Sequence, residues 1–221
     1  MLQPVRVGGM TLKNRLAASN SVLYFLQGDE KYPSQALITH VANKAKNGAG
    51  IVEVHGIAPR VGPGRVAPPA GPFLHMAEFD LYDAKAQNYL SQLADAVHMY
   101  NSKICMNLAC RIFPGYDVSA GLPPRPDQTE PSKELSRQQL CEIAEEYAAQ
   151  AKLLQSLGYD MVAIHMAYRH QYPGRMLSPL LNRRTDEFGG SIENRGRFPL
   201  LCCQKIKEAC GRDFPIQVQI S

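Results

Sequence analysis

Residues 160–198 read DMVAIHMAYRHQYPGRMLSPLLNRRTDEFGGSIENRGRF: a short apolar run, a cluster of polar rings and charges, then a turn into a helix. Met161 to Ile164 is continuously apolar, as in a strand buried on both faces. His165, Tyr168, Arg169 and His170 follow at its carboxyl end. In a parallel sheet that end is where side chains meet a ligand. Gly189 and Gly190 permit a tight backbone path, and Ser191 is placed to cap a helix over 191–210, which Pro199 is expected to kink.

Outward from this stretch the same grammar repeats. Apolar runs over 51–55, 103–108 and 214–220, and a weaker Ala-rich one over 15–19, read as further strands. Helical periodicity lies between them. Over 34–47 it is carried by Leu37, Ile38, Val41, Ala42 and Ala45; over 83–100 by Tyr89, Leu90, Leu93, Ala96 and Val97. Over 136–157 the face is Leu140, Ile143, Tyr147, Ala151 and Leu154, with Ser136 and Gln139 spaced as a capping box and Gly158 as the stop. Strand and helix alternate through five strands and four helices. Alternation implies a parallel sheet, either a (β/α)8 barrel or an open doubly wound sheet.

Two Pro- and Gly-rich connections, 56–80 and 111–135, each follow a strand and precede a helix. Both belong to the carboxyl face of the sheet, and connections this long are usually functional. A closed barrel takes about 250 residues. Only five strands fit in 221 because the loops consume the length. The expectation is an incomplete barrel, with edges open to self-association.

Composition narrows the function classes. The chain is 45% hydrophobic and 20% charged, as in globular proteins, and its net charge of +4 is interspersed. No basic run marks a nucleic-acid surface. No apolar stretch approaches the ~18 residues of a membrane span, and residues 1–14 lack the apolar core of a signal peptide. A cytoplasmic location is expected. The six cysteines show no CxxC pair, so neither a metal site nor a disulfide framework is expected.

An imidazole such as His165 can donate a hydrogen bond to a carbonyl oxygen. A phenol such as Tyr168 can protonate carbon where a cation such as Arg169 supports the phenolate. The same groups could serve packing alone. A lysine at a strand end, which a Schiff-base aldolase would need, is absent from the strands identified.

Residues 177–198, LSPLLNRRTDEFGGSIENRGRF, closely resemble the old yellow enzyme pattern LSPxxNxRTDxYGGSxENRxRF, with Phe188 in place of its tyrosine. Residues 8–16, GGMTLKNRL, resemble the opening of the same family. The resemblance spans the chain. It implies that residues 1–221 are the N-terminal portion of a single FMN-binding TIM barrel, nearest the enoate, dienoyl-CoA and bile-acid reductases. It implies non-covalent FMN, reduced by NADH or NADPH, and an alkene conjugated with a carbonyl as the small-molecule substrate. A 4Fe-4S centre would belong only to a longer parent.

By the family register the flavin-facing residues are Ala18, Ser19 and Asn20, and the residue at the pyrimidine edge is Asn107. Val22 stands where relatives carry a side chain that tunes the flavin. His165 and Tyr168 match the first two ring positions of the catalytic loop, with Tyr172 a second candidate for the proton donor. Gln219 stands where relatives carry an arginine that stabilises the anionic reduced ring. The family's phosphate site follows strands this sequence does not reach, so the chain by itself is expected to bind FMN weakly or not at all. A non-catalytic relative serving as a partner subunit is the alternative reading.

Overall fold

The computed structural model describes residues 1–20, 32–57, 81–108, 115–122, 130–167 and 172–220. Strands β1 (Val5–Val7) and β2 (Met10–Leu12) form an antiparallel hairpin. Then come β3 (Ala17–Ala18), helix α1 (Gln35–Lys46), β4 (Ile51–Ile57), α2 (Ala84–His98) and β5 (Lys103–Leu108). Two short strands, β6 (Tyr116–Asp117) and β7 (Lys133–Glu134), precede α3 (Arg137–Ser156), β8 (Met161–His165), α4 (Tyr172–Leu177), α5 (Ile192–Cys210) and β9 (Ile216–Gln219).

Five of these strands form one parallel sheet in the order β3-β4-β5-β8-β9. They are the five strands expected from the apolar runs, and α1, α2, α3 and α5 are the four expected helices. Their ends are chemically set. Ser34, Asp83, Ser136 and Ser191 each accept a backbone N–H of the first turn, and Ser136 and Gln139 close the expected capping box. Such a cap contributes about 1 kcal/mol. Pro199 lies inside α5, buried, and the helix runs on to Cys210.

The hairpin, the β6–β7 ladder and α4 went unread in the sequence, since each is too short to show a period. The connection over 111–135 is therefore not all loop: Tyr116 pairs with Lys133 and Asp117 with Glu134. Gly8 takes φ +57 in the two-residue turn of the hairpin, and a Cβ on Gly9 would lie 2.8 Å from the Asp213 carbonyl oxygen.

Side chains alternate across the sheet. Val52, Val54, Ile104, Met106, Leu108, Val162 and Ile164 face the helices and join the main core. Ile51, Cys105, Met161 and Ala163 face the other way and pack on Leu12, Val5 and Met10 of the hairpin. The hairpin thus seals the inner face near the amino ends of the strands. Lys13 donates to the Tyr100 carbonyl at 2.7 Å, and Asn14 donates to the Gly48 carbonyl at 2.7 Å while accepting from Leu16 N. These bonds anchor the chain entering β3. Asp160 braces the amino ends of β5 and β8, accepting from Lys103 Nζ at 2.7 Å and Ile104 N at 3.0 Å, and pairing with His98 Nε2 at 2.7 Å. Among the described residues no helix is long and apolar enough to cross a membrane.

Candidate functional site

Toward the carboxyl ends of the strands the inner face turns polar. Glu53 on β4, Asn107 on β5, His165 on β8, and Gln217 and Gln219 on β9 share the face that Ile51, Cys105 and Met161 occupy lower down. The pairings Glu53–Cys105, Asn107–Ala163, Ala163–Gln217 and His165–Gln219 fix this register.

The centre is a buried carboxylate. Glu53 is 8% exposed and Asn107 is fully enclosed. Glu53 Oε1 accepts from Asn107 Nδ2 at 2.5 Å and from Gln219 Nε2 at 2.6 Å. Asn107 Nδ2 also donates to Gln219 Oε1 at 2.7 Å, which closes a three-residue ring. Gln217 Nε2 reaches Glu53 Oε2 at 3.5 Å. Among the described residues the acid is held by side-chain amides, not by a guanidinium or ammonium. One acceptor is left over: Asn107 Oδ1 is buried and has no hydrogen-bond partner among the described residues. Native interiors rarely leave such an atom unpaired, and one aimed at a polar face marks a place for a ligand or water.

The charge of Glu53 is felt by its neighbours. Burial lowers the His165 imidazole below its ordinary value, partly opposed by the Ala167 backbone and by Glu53. Burial also lowers Lys44, again against the pull of Glu53, and Lys44 Nζ donates to the Ser19 carbonyl at 3.3 Å. The Cys105 thiol is pushed up by burial first, with Glu53 and Asp160 adding to it.

The structure brings together His165, Asn107 and Gln219 of the residues singled out in the sequence. The side chain of Ala18 packs against the helix-covered core, so that strand would meet a ligand through its backbone. Ser19 is exposed and Asn20 half-buried, both just past the end of β3. Tyr168, Arg169 and His170 lie outside the described residues, as do Val22 and residues 58–80. Tyr172, the second candidate for the proton donor, is fully buried in α4, with its hydroxyl 3.5 Å from the Tyr116 carbonyl. Sequence reasoning missed Glu53 and Gln217. The signal was present, since an acid inside the apolar run Ile51-Val52-Glu53-Val54 is exceptional unless the site needs it.

The long motif after β8 builds a different structure. Arg184, 5% exposed, donates from Nη1 to the carbonyls of Val118 at 3.0 Å and Leu135 at 2.8 Å. Its Nε and Nη2 grip Asp186 at 3.0 and 2.6 Å, and Glu134 lies 3.4 Å from Nη2. Asn182 Nδ2 ties the carbonyls of Met176 and Phe188, both at 2.8 Å. A Cβ on Gly189 would sit 1.9 Å from the Arg184 carbonyl oxygen, so only glycine fits. Arg175 clamps Asp117 through Nε and Nη2, and Arg195 Nε holds the Leu177 carbonyl at 2.9 Å. The motif is a brace between the β6–β7 ladder and α5.

Comparison with known proteins places this geometry. The profile of the NADH:flavin oxidoreductase / NADH oxidase family matches residues 1–221. The chain is 29% identical to NADH oxidase from Thermoanaerobacter brockii, aligning 98% of itself to 33% of that protein. It is 24% identical to cinnamate reductase from Clostridium sporogenes, with all of this chain aligned to 34% of that one. It superposes on Old Yellow Enzyme from Pichia sp. AKU4542 with a TM-score of 0.82 at 22% identity, covering 99% of this chain and 58% of the other. The chain thus spans about a third of the two sequence relatives. The superposition shows the fold to be the five-stranded part of a (β/α)8 barrel, as expected.

Proposed function

Because the chain belongs to the NADH:flavin oxidoreductase / NADH oxidase family, we propose that its polar inner face is the part of an FMN site that holds the edge of the ring, in an oxidoreductase that uses NADH or NADPH to reduce an activated C=C bond. The observation that carries this reading is the buried Asn107 Oδ1, without a partner among the described residues, beside Gln219 at the carboxyl ends of β5 and β9, the two strands that flank β8. An amide oxygen so placed suits the imide N–H of a flavin pyrimidine edge. FMN, when bound, would supply the hydride that NAD(P)H delivers and an alkene conjugated with a carbonyl accepts.

The chain's own residues do the positioning. Asn107 and Gln219 hold the heterocycle edge. His165, kept neutral more readily by its burial, donates a hydrogen bond to a substrate carbonyl. Tyr168 gives the α-carbon its proton, with Arg169, the next residue in the sequence, as the supporting cation. The backbone of Ala18, Ser19 and Asn20 lines the ring. The Clostridium sporogenes relative is a cinnamate reductase, which supports a small unsaturated acid as substrate class. The outer strands β3 and β9 have no further strand partner among the described residues, which supports self-association through them.

One feature favours the alternative of a non-catalytic partner subunit. Gln219 is a neutral amide bonded to a carboxylate, and it cannot offset the negative charge of a reduced ring. Flavin fluorescence separates the two readings. Titrating the chain with FMN is expected to give quenching weaker than micromolar affinity, lost in Asn107→Leu and bleached anaerobically by NADH or NADPH. Identical titrations for wild type and N107L would remove the flavin from this face.

A further inference from the structure

We propose that Glu53 is the positioning residue of the inner face: it locks the amides of Asn107 and Gln219 so that the face presents a hydrogen-bond acceptor and selects a ligand edge carrying an N–H donor. The proposal rests on the flavin reading for the identity of that edge, and on the ring of side-chain bonds alone for the lock.

A side-chain amide has two faces of opposite polarity and nearly equal shape. Which face points at a ligand is decided by what holds the other. In its carboxylate form Glu53 can only accept. Both amides bonded to its Oε1 must therefore turn their NH2 groups toward it, and they do, at 2.5 and 2.6 Å. Gln219 Oε1 then points away from Glu53, and Asn107 Nδ2 meets it at 2.7 Å. Each orientation is consistent with the other two. Rotating Asn107 by half a turn would set Oδ1 against both Glu53 Oε1 and Gln219 Oε1, three acceptors together in a buried place. That repulsion is strong where water is excluded. The remaining atom, Asn107 Oδ1, is consequently fixed as the group on offer, and it is the one without a partner among the described residues. Asn107 is fully enclosed and Glu53 is 8% exposed, so solvent has little access to screen or replace these bonds.

The lock explains why an acid sits inside the strand. Asn107 alone would present donor or acceptor according to its rotamer. With glutamine at residue 53, the carboxylate's veto is lifted, because a second amide can both donate and accept. The face would then admit either polarity.

Two measurements test this on the 221-residue chain. In the first, NMR of the Asn107 side-chain amide in the ligand-free protein is compared with Glu53→Gln. The wild type is expected to show one orientation, with NH2 protons close to the Glu53 side chain; E53Q is expected to show two orientations or loss of that proximity. An Asn107 NH2 pointing away from Glu53 in wild type, or one unchanged in E53Q, overturns the lock. If E53Q does not fold, Gln219→Leu takes its place: Asn107 must keep its orientation there, because Glu53 still holds it, and loss of that orientation overturns the proposal.

In the second, lumiflavin and 3-methyllumiflavin, whose imide N–H is methylated, are titrated against both proteins. The wild type is expected to prefer lumiflavin by about tenfold or more, the ratio that a buried unpaired polar group commands. E53Q is expected to bring the ratio near unity. A ratio that survives E53Q overturns the lock. If neither probe binds the wild type, the selection half of the proposal fails for this chain, while the NMR comparison still decides whether Glu53 sets the amides.

Discussion

Arg184 and Glu53 are both buried charges held by hydrogen bonds, and they are solved in opposite ways. Around Arg184 the donor inventory closes. Two carbonyls take Nη1, Asp186 takes Nε and Nη2, and Glu134 lies beside Nη2. Around Glu53 the inventory is left open, among the described residues, by one atom, Asn107 Oδ1. A closed network has nothing to give a ligand and serves as a brace; an open one in a buried place is unfinished until something binds. The stretch which identifies the family is the brace, whereas the proposed site is written in single residues on separate strands.

The sharpest way to break the comparison is to remove the charges. Arg184→Met leaves two buried carbonyls and the Asp186 carboxylate without their donor, and is expected to destabilise the chain by about 3 kcal/mol. Glu53→Gln keeps shape and hydrogen-bonding capacity and takes a charge out of a low-dielectric place, so its change in stability is expected to stay within about 1 kcal/mol. Urea denaturation of both variants at neutral pH reads the difference. If E53Q is as destabilising as R184M, Glu53 is a structural charge like Arg184 and the distinction between brace and site is lost.

The same distinction explains what could be read from the sequence. Buried parallel strands announce themselves as apolar runs, so all five strands of the sheet and the four long helices were visible, with bounds set by residues such as Ser136 and Gly158. The brace was visible because it is contiguous: Asn182, Arg184, Asp186 and Gly189 must keep fixed spacings to bond one another. The site was only partly visible. Asn107 and Gln219 were singled out, yet the acid that joins them was not, since Glu53 lies 54 residues from Asn107 and 166 from Gln219. Only the sheet register brings them together. The burial of Tyr172 was not legible for the complementary reason: α4, which carries it into the core, is too short to show a period.

Each network also has its own acid window. Arg184 holds the Asp186 carboxyl below its ordinary value, chiefly through their hydrogen bond. The unfolded chain takes up that proton first, so the stability Asp186 contributes is present above about pH 4 and is lost as pH falls through its lower folded value. His165 is also lowered, here by burial. Its contribution is full above about pH 6.5 and falls as pH drops from there toward the folded value. Urea midpoints followed against pH are therefore expected to fall in two steps. His165→Asn should erase the upper step alone, and R184M the lower. A single step erased by either variant would mean the two networks are coupled through the fold, and the open one could not then bind without straining the closed one.

The smallest effect is chemical. Cys105 shares the inner face with Glu53, opposite it in the register and two residues below Asn107 on β5, enclosed with Ile51, Met161 and Leu12. Its thiol is pushed well up by burial, with Glu53 and Asp160 adding to it, so little of the reactive thiolate exists at pH 8. Cys141 on α3 is only half-buried. A thiol-specific disulfide reagent should therefore modify Cys141 promptly and leave Cys105 intact until the chain unfolds. Mass spectrometry of peptides after timed labelling gives the order. Prompt labelling of Cys105 would mean that water reaches the layer beneath the amides. Asn107 Oδ1 would then be hydrated from below, and its lack of a partner would no longer point to a ligand.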